Sequence, residues 1–254
     1  MNRIVVFLLS LLLAMPALAL DLQGLYEQAL TASRQGDFAE ALPLWDRFLE
    51  QEPEDAAALS NRGNVRLALG DASGAIEDQS ASIVLAPEES DPHLNRGTAE
   101  EALQDWSAAA HDYLWILERD PQDASALYNL GNVRGSQGDW PEARMLYSQA
   151  SLARPGFAMA RSSEALAAWQ VGDLDWAEAE LRKLIRRYPL FADARAALSG
   201  LLWREGSTGE AESHWAAAAG LDQRYRQADW LQQVRRWPPQ PTADLMAFLA
   251  LETS

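Results

Sequence analysis

Cysteine is absent from the 254 residues, and histidine occurs three times. The first absence excludes a disulfide framework, thiolate zinc sites, thiolate-held iron–sulfur clusters and a cysteine nucleophile. His93, His111 and His214 are scattered without metal-ligand spacing, which leaves little for metal or acid–base chemistry. Cations are also scarce: 21 Lys and Arg stand against 37 Asp and Glu, a formal charge of −16. That deficit argues against general nucleic-acid binding, which needs a basic face to neutralise phosphates. No nucleophile, base and orienting partner stand out together. The sequence therefore points away from an enzyme, a cofactor and a small-molecule substrate. What is present is an ordinary globular composition, 48% hydrophobic and 23% charged. The length allows one or two domains with a real core.

One long apolar run stands at the N-terminus. Asn2 and Arg3 give a positive start, residues 4–15 (IVVFLLSLLLAM) are continuously apolar, and Pro16 breaks the run. Ala17-Leu18-Ala19 supplies the small residues a signal peptidase requires. The pattern predicts a signal peptide over residues 1–19, cleaved after Ala19, and an exported mature chain. Residues 4–20 are marginally short for an uncleaved span. Cleavage removes Arg3 and no acid, leaving 20 bases against 37 acids, or −17.

The rest of the chain is periodic. Stepping by 34 from Leu22 gives six units: 22–55, 56–89, 90–123, 124–157, 158–191 and 192–225. Position 20 is always alanine: Ala41, Ala75, Ala109, Ala143, Ala177 and Ala211. Position 8 is always small, from Ala29 and Gly63 through Gly97 and Gly131 to Ala165 and Ser199. Small residues at both positions let two antiparallel helices approach closely. Position 15 is glycine except at Gln104, and glycine suits the left-handed backbone that ends a helix. Position 16 is Asp or Ser, the residues that cap the next helix. Asp37 with Glu40, Asp139 with Glu142 and Ser207 with Glu210 have capping-box spacing. Position 32 is proline in five units, which stops the second helix. Bulky side chains at positions 17 and 24, among them Trp45, Trp106, Trp140 and Trp215, are predicted to fill the space between helices.

This pattern resembles the tetratricopeptide repeat across residues 22–225. The resemblance implies an all-α fold: a right-handed superhelical solenoid of six helix-turn-helix units, with a concave groove lined by the first helices. It also implies that partner peptides are held from positions 2, 5, 6, 9, 12 and 13 of those helices. Carried onto this chain, positions 6 and 9 give Asn61 and Asn64, Asn95 and Thr98, and Asn129 and Asn132. A side-chain amide offers a donor and an acceptor, so it can pair with both backbone groups of an extended peptide. The alternative is that these amides bond within the protein. Tyr26, Tyr128, Trp169 and Trp203 fall at positions 5 or 12, as apolar pockets for a partner or as contacts to adjacent helices. Some members of the family clamp a C-terminal carboxylate with two Asn plus Lys and Arg. Asn64 and Asn95 match the amides, but Ser60, Ser125 and Asn129 stand where the clamp needs cations. A buried carboxylate would be unpaired there, so that clamp is not expected.

Charge is uneven. Residues 20–123 hold 6 basic and 22 acidic side chains, a net −16, and residues 124–254 hold 14 and 15, a net −1. The acidic half is predicted to attract protein partners with basic segments, or simply to keep the chain soluble. Arg182, Lys183, Arg186 and Arg187 form one basic run on a second helix, read as a solvated face or as a partner or headgroup contact. Beyond the repeats, residues 226–254 are expected to cap the solenoid. Residues 224–235 read as a helix, the Pro-rich 237–241 as an extended break, and Thr242 as the cap of a short final helix. As an alternative function, the chain is a structural subunit docked into a larger complex through its convex face or this tail; the apolar final helix otherwise folds back to plug the groove. The tail resembles that of exported tetratricopeptide proteins of cyanobacteria, with plastid-lumen relatives. This implies a thylakoid-lumen or periplasmic location, and a scaffold in contact with membrane (photosynthetic) complexes during assembly.

Overall fold

The computed structural model describes residues 22–251. The signal-peptide expectation lies outside the described residues. Among those residues the chain forms fourteen α-helices, one short 3-10 turn and no strand. It divides into two compact units within one helix, one ending at Asp112 and the other starting at Tyr113.

Both units are made of helical hairpins. The first contains α1 (22–35), α2 (Phe38–Leu49), α3 (Ala56–Ala68), α4 (Ala72–Leu85), α5 (Ser90–Ala102) and the start of α6 (Trp106–Arg119). The second continues with α7 (Ala124–Ser136), α8 (Trp140–Ala153), α9 (Ala158–Gln170), α10 (Leu174–Arg187), α11 (Ala192–Arg204) and α12 (Thr208–Leu221). The 3-10 turn Gln223–Arg226, α13 (Ala228–Gln233) and α14 (Pro239–Leu251) complete it.

The packing follows from the repeated small positions. All six position-20 alanines are buried. At position 8, a Cβ added to Gly131 would stand 2.7 Å from the Tyr147 ring, so the aromatic at position 24 fills the room that the glycine leaves. Trp45, Tyr113, Tyr147, Leu181 and Trp215, all at position 24, are buried, as expected of packing residues. Trp106 and Trp140, at position 17, are half-buried.

The turns between helices use the expected left-handed residue. Gly36, Gly70, Gly138, Gly172 and Gly206 have φ between 81° and 92°. Gln104 takes the same conformation at φ 60°, which costs a side-chain-bearing residue about 1–2 kcal/mol. Capping is less uniform than the spacing suggests. The Asp139 carboxylate accepts from the Glu142 amide at 3.2 Å, but Asp37 and Ser207 make no side-chain cap bond. Glu210 is instead held by the Arg182 guanidinium.

Two buried ion pairs staple the hairpins of the first unit. Arg62 and Arg96, both at position 7, bind Asp78 and Asp112 on the facing helices through paired N–H donors at 2.7–2.9 Å. Arg62 also reaches back to Asp46, and Arg96 to Ser80, each on the preceding hairpin. His93 packs into this layer with Nδ1 2.8 Å from Asp112.

The tail departs from expectation. Residues 224–235 are not one helix: Gln227 is extended (φ −106°, ψ 108°) and separates the 3-10 turn from α13. The Pro-rich stretch is not an extended break either, because α14 begins at Pro239. Pro239 and Pro241 occupy its first turn, where backbone N–H groups have no intrahelical partner to lose. Thr242 is inside the helix, its hydroxyl donating to the Pro238 carbonyl at 2.9 Å, rather than capping it.

Candidate functional site: an asparagine pocket and a tail-filled face

The first unit carries a polar pocket of about 420 Å³ between α3, α4 and α5. Ser60, Asn61 and Asn64 line it from α3, and Asn95 from α5. Helix periodicity explains the grouping, since Ser60, Asn61 and Asn64 lie within one turn. Ala56, Ala57 and Ala86 keep the floor low. Three of the predicted groove residues thus converge. Ser60, Glu89 and Asp91 join them, and sequence spacing did not single these out as ligands. No lysine or arginine lines the pocket.

The amides are partly engaged. Gln79 Nε2 donates to Asn64 Oδ1 at 3.0 Å and to the Ser60 carbonyl at 2.9 Å. That fixes the Asn64 amide with its NH₂ away from Gln79. Asn61 Nδ2 meets the Tyr26 hydroxyl, and Asn95 Nδ2 meets Ser60 Oγ, both at 3.4 Å. These two bonds are long, so they orient the amides at little cost to their release. Tyr26 is held edge-on against Trp45 and Phe48, with ring centroids 5.0 and 5.2 Å away. Its hydroxyl pKa is raised, by burial first and then by the Asp55 charge, so it stays a neutral donor and acceptor.

Negative charge dominates the surroundings. Glu89 and Asp91 sit on the pocket rim. Glu100 on α5 does not line the pocket; burial and then the nearby Asp112 push its carboxyl up to about 7, with Arg96 opposing.

The other predicted residues lie elsewhere. Thr98 is exposed, and its hydroxyl bonds the Leu94 carbonyl on its own helix at 2.9 Å. In the second unit Asn132 is buried and accepts from the Tyr147 hydroxyl at 3.0 Å, so it is a packing residue rather than a free amide. Asn129 is half-buried on α7. Tyr128 is half-buried between Tyr147 and Phe157, with ring centroids 5.5 and 5.1 Å away.

Trp169 and Trp203 require a correction. Trp169 is 1% exposed and belongs to the core, and Trp203 packs partly buried against the same cluster. The helices that carry them, α9 and α11, are crossed by α14. Leu245, Phe248 and Leu249 enter the cluster formed by those two helices. Gly200, at position 9, lets the Leu245 backbone come so near that an added Cβ would stand 3.1 Å from its nitrogen. At position 13 of the last two repeats, Arg204 pairs with Asp244 at 2.8 Å, and Gln170 Oε1 accepts from the Gln240 amide at 2.8 Å. The chain's own α14 therefore covers position 9 of the last repeat and position 13 of the last two, which the family resemblance assigns to partner peptides.

A buried carboxylate anchors the stretch leading into α14. Asp193, on α11, is fully buried. Its Oδ1 accepts from the Tyr225 hydroxyl at 2.9 Å, Arg235 at 2.7 Å and Trp237 Nε1 at 3.0 Å, and Oδ2 accepts from Ser162 at 2.6 Å. Burial works against its charge, but Arg235 and these hydrogen bonds outweigh burial and hold its pKa below the usual range. The only trace of this hub in the sequence is an acid at position 2 of the last repeat.

Repeated helical hairpins with small, buried residues at the helix crossings are the pattern of a helical repeat protein. The family pattern of the tetratricopeptide repeat matches residues 26–90, 94–161 and 162–230, and the chain belongs to that family. Solved structures share the fold. A tetratricopeptide repeat protein from Parabacteroides merdae ATCC 43184 is 17% identical, with a TM-score of 0.67 over 90% of this chain and 98% of the other. A thermophilic repeat protein of Thermus thermophilus is 22% identical, with a TM-score of 0.60 over 72% and 99%. YrrB, described as having an unusual peptide-binding site, is 16% identical, with a TM-score of 0.54 over 76% and 96%. No curated protein sequence matches the chain significantly.

Proposed function

We propose that this protein is a non-catalytic scaffold that holds an extended, basic segment of a partner protein in the pocket of Asn61, Asn64 and Asn95. The convergence of those three amides on one cation-free pocket carries the reading. Each can pair with peptide backbone without reading side chains. Glu89 and Asp91 on the rim favour Lys or Arg in the bound segment and disfavour a terminal carboxylate. The peptide-binding site described for YrrB is consistent with this use of the fold.

The compartment we propose is exported, thylakoid lumen or periplasm, from Arg3, the apolar run and Ala17-Leu18-Ala19. In that compartment the partner is a segment of a membrane or exported protein during assembly. N-terminal sequencing of the mature chain then reads Leu20 first. Docking through the tail receives less support, because Trp237 and α14 are packed into the last repeats.

Peptide binding tests the proposal. A labelled extended peptide with alternating Lys and Ala is titrated into the folded chain and its anisotropy followed. Loss of two amide–backbone pairs at about 0.5–1.5 kcal/mol each predicts roughly tenfold weaker binding for Asn61→Ala with Asn95→Ala. Unchanged affinity in that variant would overturn the reading.

A further inference from the structure

We propose that a slot between α8, α9 and α10 is a second docking site, which takes an acidic protein segment carrying a large apolar side chain beside its carboxylates. The slot has a volume of about 390 Å³ and lies wholly in the second unit. Leu152, Phe157 and Leu184 form its apolar wall. Leu152 remains 70% exposed there, an apolar surface that none of the described residues covers. Arg161, Lys183 and Arg187 stand around this wall, against one lining carboxylate, Glu180.

The cations are not equally committed. Arg161 pairs with Glu164 at 2.8 Å, and Lys183 pairs with Glu180 on its own helix. Arg187 has no carboxylate partner among the described residues, and its guanidinium lies 5.4 Å from the Tyr188 ring centroid. Next to it Arg186 is exposed. In a chain with 37 acids and 21 bases, an unpaired exposed guanidinium beside bare apolar surface marks a place that an acidic partner complements. An apolar side chain entering against Leu152 and Phe157 would bring flanking carboxylates to Arg187 and Lys183. A bidentate carboxylate on Arg187 is the geometry guanidinium favours. A protein segment fits better than an anionic membrane, because a concave slot of about 390 Å³ admits one side chain with its flanking residues, which a flat lipid surface does not fill. The site is separate from the asparagine pocket and rests on different residues.

The test uses the full chain and a fluorescein-labelled peptide, Asp-Glu-Phe-Glu-Asp, followed by anisotropy at low salt. Lys183→Glu with Arg187→Glu, both on exposed side chains, is expected to weaken binding at least tenfold. Leu152→Ser, or Ala for Phe in the peptide, is expected to weaken it about fivefold. Asn61→Ala with Asn95→Ala is expected to change nothing. The proposal is overturned if charge reversal leaves the affinity unchanged, or if Lys-Lys-Phe-Lys-Lys binds as well. It is equally overturned if the peptide fails to bind while phosphatidylserine vesicles do. Self-association at low salt that charge reversal abolishes, without peptide binding, would assign the slot to a second copy of the chain instead.

Discussion

Single residues fix where this repeat protein departs from uniformity. Asp193 is the clearest case, a buried charge that ties α11 to Tyr225, Arg235 and Trp237. Removing it leaves the buried Arg235 guanidinium uncompensated, which costs about 3–5 kcal/mol. Asp193→Ala is therefore expected to lower the melting temperature of the second unit by several degrees in calorimetry; an unchanged melt would contradict the hub. Its pKa is depressed in the folded protein, so the stabilisation is present above the ordinary carboxylate pKa of about 3.9 and is lost as pH falls through the lower folded value. Gln104 is the opposite case. It holds a left-handed backbone where the other five repeats have glycine. Gln104→Gly relieves that strain but gains freedom in the unfolded chain, for a net stabilisation of up to about 1 kcal/mol, read as a raised denaturation midpoint. The glycine spacing made Gln104 visible in the sequence as an exception. Asp193 had no such signal, because its partners Tyr225 and Trp237 lie 32 and 44 positions away, at the end of the last repeat and in the aperiodic tail.

At the scale of elements, the hairpins were legible and the tail was not. Second helices start at Phe38, Ala72, Trp106, Trp140, Leu174 and Thr208, each 34 residues after the last, because the turn residue and the cap recur at that interval. The tail has no repeat to average over. Two prolines read as a break, yet they fit the first turn of α14, where N–H groups need no partner. The position of α14 is a long-range fact, set by Gly200 and the apolar faces of α9 and α11. It also explains why Trp169 and Trp203 looked like groove residues, since their positions normally face a ligand and here face the chain itself. Truncation after Pro238 uncovers the partners of Leu245, Phe248 and Leu249, each worth about 1.5–3 kcal/mol when buried. The truncated chain is expected to bind a hydrophobic dye and to melt at a lower temperature. A melt unchanged within a degree would mean that α14 is held only loosely.

At the scale of the whole molecule, function follows from which first helices remain open. Over the last two repeats α14 lies against the first helices and engages Arg204 and Gln170 at position 13. In the first unit Asn61, Asn64 and Asn95 converge on an open pocket in an acidic setting. The register of the repeat places Asn61, Asn64 and Asn95 on first helices, whereas Asn132 follows the alternative of bonding within the protein, because Tyr147 reaches its carbonyl oxygen from the facing helix. The central claim is that partner segments bind at the first-unit pocket and not at the tail-covered face. Side-chain amide resonances of Asn61, Asn64 and Asn95, followed by nuclear magnetic resonance during titration with the Lys-Ala peptide, test it most directly. Saturable shifts of these three amides are expected, with the backbone signals of α9, α11 and α14 unmoved. Shifts confined to α9, α11 and α14, with the three amides unmoved, would contradict it.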